Sequence, residues 1–108
     1  MAAFSIATSQ QDQEVTLILS GELDAAAAPQ FKTQIESAAQ SNPSKLVLDI
    51  KDLSYMASAG LRVLVFARQK MGGDVDIIVV APQDAVRETI EMTGFHHSVT
   101  MVDSYEEV

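Results

Sequence analysis

Few residues of the chain are suited to chemistry, and Ser58 is the most suggestive of them. It is followed by Ala59 and Gly60, at the point where a strand-like segment gives way to apolar residues with helical spacing. The free N–H groups and the dipole at a helix start stabilise negative charge by about 0.3 to 1 kcal/mol. A phosphate esterified to Ser58 would therefore occupy a favourable position, and its small neighbours would leave the hydroxyl accessible. The competing interpretation is that Ser58 only caps the helix, which is worth about 1 kcal/mol.

The other candidate groups do not assemble a catalytic or metal site. The chain has no cysteine, which excludes thiol catalysis, disulfides and cysteine-based zinc sites. His96 and His97 are adjacent, so on an extended segment they would point to opposite faces, without a third ligand at metal spacing. Ser58 lacks the Gly-x-Ser-x-Gly context of a hydrolase nucleophile, and no phosphate-binding loop motif is present. We therefore expect a protein that is not an enzyme, with no catalytic residue, no metal and no cofactor.

Charge and hydropathy narrow the class of partner. Fifteen acidic residues against seven basic ones give a net charge of -8. Such a surface repels phosphate backbones, because Lys and Arg dominate nucleic-acid affinity, so direct binding of nucleic acid is not expected. The apolar runs are shorter than the roughly 20 residues that cross a bilayer, and the N-terminus lacks the pattern of a signal peptide. The sequence predicts a soluble cytoplasmic protein without membrane contact.

A single alternating α/β domain over residues 1–108 must position these groups. The predicted strands are residues 4–7, 15–20, 46–50, 75–81 and 98–102. The predicted helices contain Phe31 and Ile35, run from Ser58 to about Met71, and follow Asp84 as far as Gly94. The order β-β-α-β-α-β-α-β predicts a mixed, mainly parallel sheet of about five strands, whose first two strands are antiparallel because their connection is short.

Polar or glycine-containing segments are predicted to end these elements. Residues 9–13 are expected to form the turn between the first two strands, and residues 21–24 are expected to close the second strand. A short polar turn is expected between residue 50 and Ser58. The acidic residues 103–108 are expected to form one helical turn.

The predicted second helix is apolar on two sides. These residues are Leu61, Leu64 and Val65 on one side and Val63, Phe66 and Ala67 on the other. One side must pack on the sheet, whereas the other is either covered by a neighbouring helix or left as an apolar contact patch beside Ser58. In the second case Arg62 would lie at the rim of the patch and contribute to specificity.

Three segments together resemble a STAS domain, and within that family the bacterial anti-sigma factor antagonists. They are Gly21-Glu22-Leu23-Asp24, residues 46–50 and residues 53–64, and the resemblance extends over the whole chain. It implies that the dephosphorylated protein binds an anti-sigma factor that is also a GHKL-type serine kinase, and thereby releases a sigma factor. It also implies that phosphorylation of a serine breaks the complex and that a PP2C-type phosphatase restores it.

The resemblance places the phosphoacceptor at Ser58 and a partner surface around it. The residues assigned to partner binding are Asp24, Met56, Ala57, Ala59, Gly60, Leu61 and Arg62. Asp24 and Asp52 are expected to add repulsion once a phosphate is present. Many family members have aspartate before the acceptor and a second hydroxyl after it, where this chain has Ala57 and Ala59. Ser58 is then the single acceptor, and a charge that a kinase could recognise is missing.

A second interpretation keeps this fold and changes its setting. STAS domains resembling this one also serve in stressosome-like scaffolds, in lipid-transport complexes and as tails of anion transporters. The absence of a membrane span and of a sensor domain weighs against the tail and the full-length scaffold. A non-catalytic binding subunit of a stressosome-like or lipid-transport complex stays open as the alternative, and co-purification with a transporter ATPase would favour it.

Overall fold

A computed structural model of the chain describes residues 3–105. The strands are β1 (Ser5–Gln11), β2 (Glu14–Leu23), β3 (Lys45–Met56), β4 (Asp76–Val80) and β5 (Thr100–Val102). The helices are α1 (Ala28–Gln40), α2 (Ser58–Met71) and α3 (Asp84–Met92), followed by a short 3-10 helix at Phe95–His97. The predicted order of elements is confirmed. No helix within these residues is long and apolar enough to cross a membrane.

The five strands form one sheet in the order β1-β2-β3-β4-β5, so each new strand is added beside the previous one. β1 pairs antiparallel with β2, and every other pair is parallel, which confirms the mixed, mainly parallel sheet. Because crossovers between parallel strands are right-handed, adding strands in one direction places successive helices on the same face. Phe31 of α1, Leu64 of α2 and Ile90 of α3 accordingly share one core cluster with alternate residues of the strands.

The opposite face of the sheet carries a second, smaller cluster and no helix of the described residues. Val47, Ile78 and Val80 are buried there, with Val102 and Tyr105 packed against them. β3 is thus covered on both faces, as its nearly continuous apolar run predicts. The cover on this face comes from the segment after β5 rather than from a helix.

The first hairpin is longer than predicted. Residues 9–11 belong to β1 and pair with Glu14, Val15 and Thr16, and the turn is confined to Asp12 and Gln13. Asp12 adopts a left-handed conformation with φ of 55°, which short polar side chains tolerate in tight turns. The sequence predicts a turn here because the exposed Ser and Gln residues at the end of β1 show no apolar alternation.

The predicted polar turn before Ser58 is wrong, because β3 continues to Met56. Leu53 and Met56 are buried to 0% and 4% exposure, and they pair with Gly21 and Leu23 of β2. β2 therefore also continues through the segment that was expected to close it. Two irregularities in the register between these strands disturb the simple alternation of inward and outward residues, and this hides the strands in the sequence.

The chain after α3 also departs from prediction. Gly94 follows the helix with φ of 77°, but the next residues form the 3-10 helix and β5 begins only at Thr100. Phe95 is buried there, which explains why this segment folds back onto the core. Residues 103–105 are not helical, and the remainder of the predicted C-terminal turn lies outside the described residues.

Candidate functional site

Ser58 is the first residue of α2 and is exposed to solvent. The capping position belongs to Ala57, whose backbone is extended and whose side chain cannot accept a hydrogen bond. The interpretation of Ser58 as the helix cap is therefore wrong. Within residues 3–105 the hydroxyl makes no hydrogen bond, and the first turn has neither a side-chain cap nor an acidic residue. The positive end of the helix dipole is thus left uncompensated beside a free hydroxyl.

Backbone hydrogen bonds at Ala57 fix the position of Ser58. The N–H of Ala57 donates to the carbonyl oxygen of Leu23 at 2.8 Å, and its own carbonyl accepts from the N–H of Leu61 at 3.1 Å. Ala57 therefore takes part both in the pairing of β3 with β2 and in the first turn of α2. Only Ala57 separates Ser58 from the end of β3, so a rigid element rather than a long loop presents its hydroxyl.

Gly60 allows α2 to approach β2 closely. A Cβ atom at this position would lie 2.7 Å from Cγ of Leu23 and 3.2 Å from Cγ of Met56. Both distances are shorter than carbon atoms normally approach at van der Waals contact. The glycine of the Ser-Ala-Gly motif therefore serves packing inside this chain. Sequence reasoning missed Leu23 as the residue beneath it, although Leu23 belongs to the Gly-Glu-Leu-Asp motif.

Asp24 lies at the same edge of the sheet as Ser58, because the preceding Leu23 is bonded to Ala57. Its carboxylate oxygen Oδ1 accepts a hydrogen bond from the N–H of Ala27 at 2.9 Å. Its carbonyl oxygen accepts from the N–H groups of Ala27 and Ala28 at 3.1 and 3.0 Å. Asp24 thus closes the turn that leads into α1, and this turn holds the exposed carboxylate in place.

The residues assigned to partner binding divide by exposure. Asp24 and Arg62 are exposed, Ala57 and Ala59 are half-buried, and Met56, Gly60 and Leu61 are buried. Met56 and Leu61 belong to the core cluster, and the assignment of the buried group to partner binding stays a prediction. These residues support the site from beneath, and only the first two groups reach its outer surface.

The outer side of α2 carries four exposed residues at spacings of four, three and four, namely Ser58, Arg62, Val65 and Gln69. Val65 is 39% exposed and so offers an apolar contact on this side, although the sequence groups it with Leu61 and Leu64, which are buried. Val63 and Ala67 are buried. Lys32 of α1 places its amino group 4.9 Å from the centre of the Phe66 ring. The second apolar side of α2, formed by Val63, Phe66 and Ala67, is therefore covered by α1 and is not left as an apolar patch beside Ser58.

Two further candidates lie apart from this surface. Asp52 was expected beside Ser58, but it precedes the end of β3 by four residues, about 13 Å along a strand. This exceeds the screening length of about 8 Å at physiological salt, so its repulsion of a phosphate is weak. His96 and His97 lie in the 3-10 helix with ring centres 4.0 Å apart, not on opposite faces of an extended segment. Residues 3–105 contain no group of three side chains that could hold a metal.

The fold and the site define a small α/β domain with one layer of helices and an exposed serine at a helix start. The STAS domain family matches residues 5–108. The chain belongs to the STAS domain family.

Similar proteins span most of this chain. RsfB of Mycobacterium tuberculosis, an anti-sigma-F factor antagonist, is 26% identical over 92 residues, which cover 85% of this chain and 75% of RsfB. BtrV of Bordetella bronchiseptica is 30% identical over 89 residues, covering 82% of this chain and 77% of BtrV. The crystal structure of an anti-sigma factor antagonist from Mycobacterium paratuberculosis superposes with a TM-score of 0.87 at 25% identity, covering 94% of this chain and 87% of that one.

Proposed function

We propose that this chain is a cytoplasmic anti-sigma factor antagonist that works by partner switching. Unphosphorylated, it binds an anti-sigma factor that is also a GHKL-type serine kinase, and the sigma factor is released. The kinase phosphorylates Ser58 and the complex separates, and a PP2C-type phosphatase restores the binding form. The chain acts as a binding module, so Ser58 is the substrate of the partner and not a catalyst.

The exposure of Ser58 is the observation that carries this proposal. Its hydroxyl has no hydrogen bond within the described residues, and its neighbours Ala57 and Ala59 are small and uncharged. A kinase can therefore reach the oxygen without displacing a side chain. RsfB and the Mycobacterium paratuberculosis protein are named anti-sigma factor antagonists, which supports an anti-sigma factor as the partner.

The partner surface combines the edge of the sheet with the outer side of α2. Asp24 lies at the strand end next to Ser58, because the residues that precede the two are hydrogen-bonded to each other. Arg62 and Val65 are exposed on the same side of α2 as Ser58. Arg62 takes part in no ion pair within residues 3–105, so its charge is available to an acidic group of the partner. The buried residues beneath, Gly60 and Leu61, keep this surface in shape.

Phosphorylation is expected to act on this surface and not on the fold. A phosphate adds a charge of about -1.5 to -2 and three acceptor oxygens. The uncapped first turn of α2 can accommodate that charge, so the helix need not unwind. The partner, however, meets bulk and negative charge where the surface was small and neutral, and the fixed carboxylate of Asp24 adds repulsion.

The test combines phosphate mapping with binding. The purified chain is mixed with a GHKL-type serine kinase from the same organism and ATP-Mg, and the modified residue is identified by mass spectrometry. We expect phosphate on Ser58, and about 100-fold weaker kinase binding for Ser58→Glu, equivalent to about 2.7 kcal/mol. Ser58→Ala is the matched control: it should bind well and resist release by ATP. Equal binding by the Glu variant would refute the switch, and co-purification with a transporter ATPase would favour the alternative setting.

A further inference from the structure

The strand ends farthest from Ser58 carry a cluster of charged residues and a tyrosine. Glu14, Lys45 and Asp76 begin three neighbouring strands and lie directly opposite one another in the register. The Tyr105 hydroxyl donates a hydrogen bond to Glu14 Oε1 at 2.8 Å. The amino group of Lys45 lies 5.6 Å from the centre of the Tyr105 ring and 4.0 Å from Glu14 Oε1. The residue that closes this cluster comes from the segment after β5.

Residues 103–105, which we call the strap, cross the helix-free face of the sheet. The Tyr105 ring packs on the cluster of Val47, Ile78 and Val80, whose exposures are only 3%, 9% and 8%. Asp103 also pairs with Arg87 of α3 at 3.3 Å, but Asp103 is almost fully exposed and such a pair contributes little. Tyr105 is therefore the main attachment of the strap.

One atom of the cluster disfavours the arrangement in which Tyr105 packs against Glu14, which we call the closed arrangement. Glu14 Oε2 is buried and has no hydrogen-bond partner among residues 3–105. A buried carboxylate oxygen without a partner has lost its hydration without compensation, which disfavours the closed arrangement. The nearest cation, Lys45, lies at the 4.0 Å limit of an ion pair and next to the other oxygen. The same side chain thus anchors Tyr105 through one oxygen and disfavours closure through the second.

We propose that the strap is a releasable cover, pinned by Tyr105, that hides or presents an apolar strip on the helix-free face of the sheet. Opening hydrates both oxygens of Glu14 and exposes Val47, Ile78 and Val80. That strip lies on the same face as Ile18, which is already 39% exposed. The opposing contacts at Glu14 keep the open and closed arrangements close in free energy, so that local opening does not require global unfolding. This inference does not depend on the proposed role of Ser58.

The populations of the two arrangements can be measured directly. The chain has two tyrosines, so 3-fluorotyrosine incorporated into a Tyr55→Phe variant labels Tyr105 alone. Fluorine saturation-transfer NMR then detects a minor open state populated at about 0.1 to 10%. Glu14→Gln keeps an acceptor for the Tyr105 hydroxyl and removes the negative charge next to the unpartnered oxygen, so the open population should fall at least about threefold. Val47→Thr keeps the shape of the side chain and makes the covered face polar, so the open population should rise by a similar factor.

A second measurement tests what the strap covers. Tyr105→Ala should increase binding of an apolar fluorescent dye several-fold, whereas Tyr55→Ala, at the other end of β3, should leave it unchanged. Circular dichroism confirms that each variant is folded. Absence of a minor state in the parent protein, or a Glu14→Gln variant that opens as often as the parent, would overturn the proposal. Equal dye binding by the two alanine variants would also overturn it.

Discussion

The two ends of β2 and β3 differ in how far the chain itself covers them. At the end that carries Ser58, the exposed serine has no hydrogen bond within the described residues and the adjacent helix has no side-chain cap. At the opposite end, Glu14 and Lys45 contact Tyr105 and the strap covers the sheet. The same pair of strands therefore supports an uncovered surface around Ser58 at one end and, at the other end, a surface that the strap covers.

The largest expected effect concerns the support under the Ser58 end. Leu23 is 0% exposed and contacts the position of Gly60, so Leu23→Ala should lower the free energy of unfolding by about 2 to 5 kcal/mol. Ile18→Ala is the matched control, because Ile18 lies on the same strand and is 39% exposed. Urea denaturation of both variants measures the difference. A loss at Leu23 no greater than the loss at Ile18 would contradict the packing described.

The second effect isolates the close approach of α2 to β2. Gly60→Ala places a methyl group 2.7 Å from Leu23 Cγ, and we expect a loss of about 1 to 3 kcal/mol from overpacking. Gly73→Ala is the control, since a Cβ there meets no atom within 4 Å. Thermal and chemical unfolding report stability. Similar stability of the two variants would show that the helix moves away without cost.

The third effect separates the two ends by function. Arg62→Glu reverses an exposed charge at the Ser58 end and should weaken kinase binding about tenfold, or about 1.4 kcal/mol, with little change in stability. Lys45→Glu makes the same reversal at the opposite end and should leave kinase binding unchanged. Calorimetric titration with the kinase measures both variants. Equal loss in the two would mean that net charge, and not this surface, governs binding.

The smallest effect is a dependence on alkaline pH at the strap. Burial and the hydrogen bond to Glu14 raise the pKa of Tyr105 above its ordinary value of 10.0. The folded chain therefore holds the phenol proton more tightly than the unfolded chain. This contribution to stability is complete below pH 10 and is lost as pH rises through the raised pKa. Interaction with Tyr105 likewise raises the pKa of Lys45 above 10.5. Its contribution to stability is therefore also lost as pH rises through the raised pKa.

Absorbance of tyrosinate measures this shift. In Tyr55→Phe, the midpoint for Tyr105 should lie above 10.0, and Glu14→Gln should move it down by removing the carboxylate. A midpoint at 10.0 in the folded protein would be inconsistent with a covered Tyr105. Tyr105→Phe should remove this part of the alkaline loss of stability.

The sequence indicated the order of elements and a candidate site at the start of α2, because both depend on local signals. Helical spacing marks α1 and α2, and small residues follow Ser58 directly. The ends of β1 and β3 were not predictable in the same way. The outer part of β1 is exposed and polar, and the end of β3 is stabilised by irregular pairing with distant residues of β2. Such pairing leaves no regular pattern along the chain itself.

The sequence by itself determined an acidic α/β domain with one accessible serine at the start of a helix, since composition, periodicity and neighbouring residues are properties of the chain order. Only the tertiary structure decided that Ser58 follows its cap, that Gly60 and Leu61 lie beneath the surface, and that Tyr105 reaches Glu14. Tyr105 and Glu14 are 91 residues apart, and Gly60 meets Leu23 only because β2 and β3 end side by side. Contacts of this kind depend on how strands pair, which side-chain type alone does not specify.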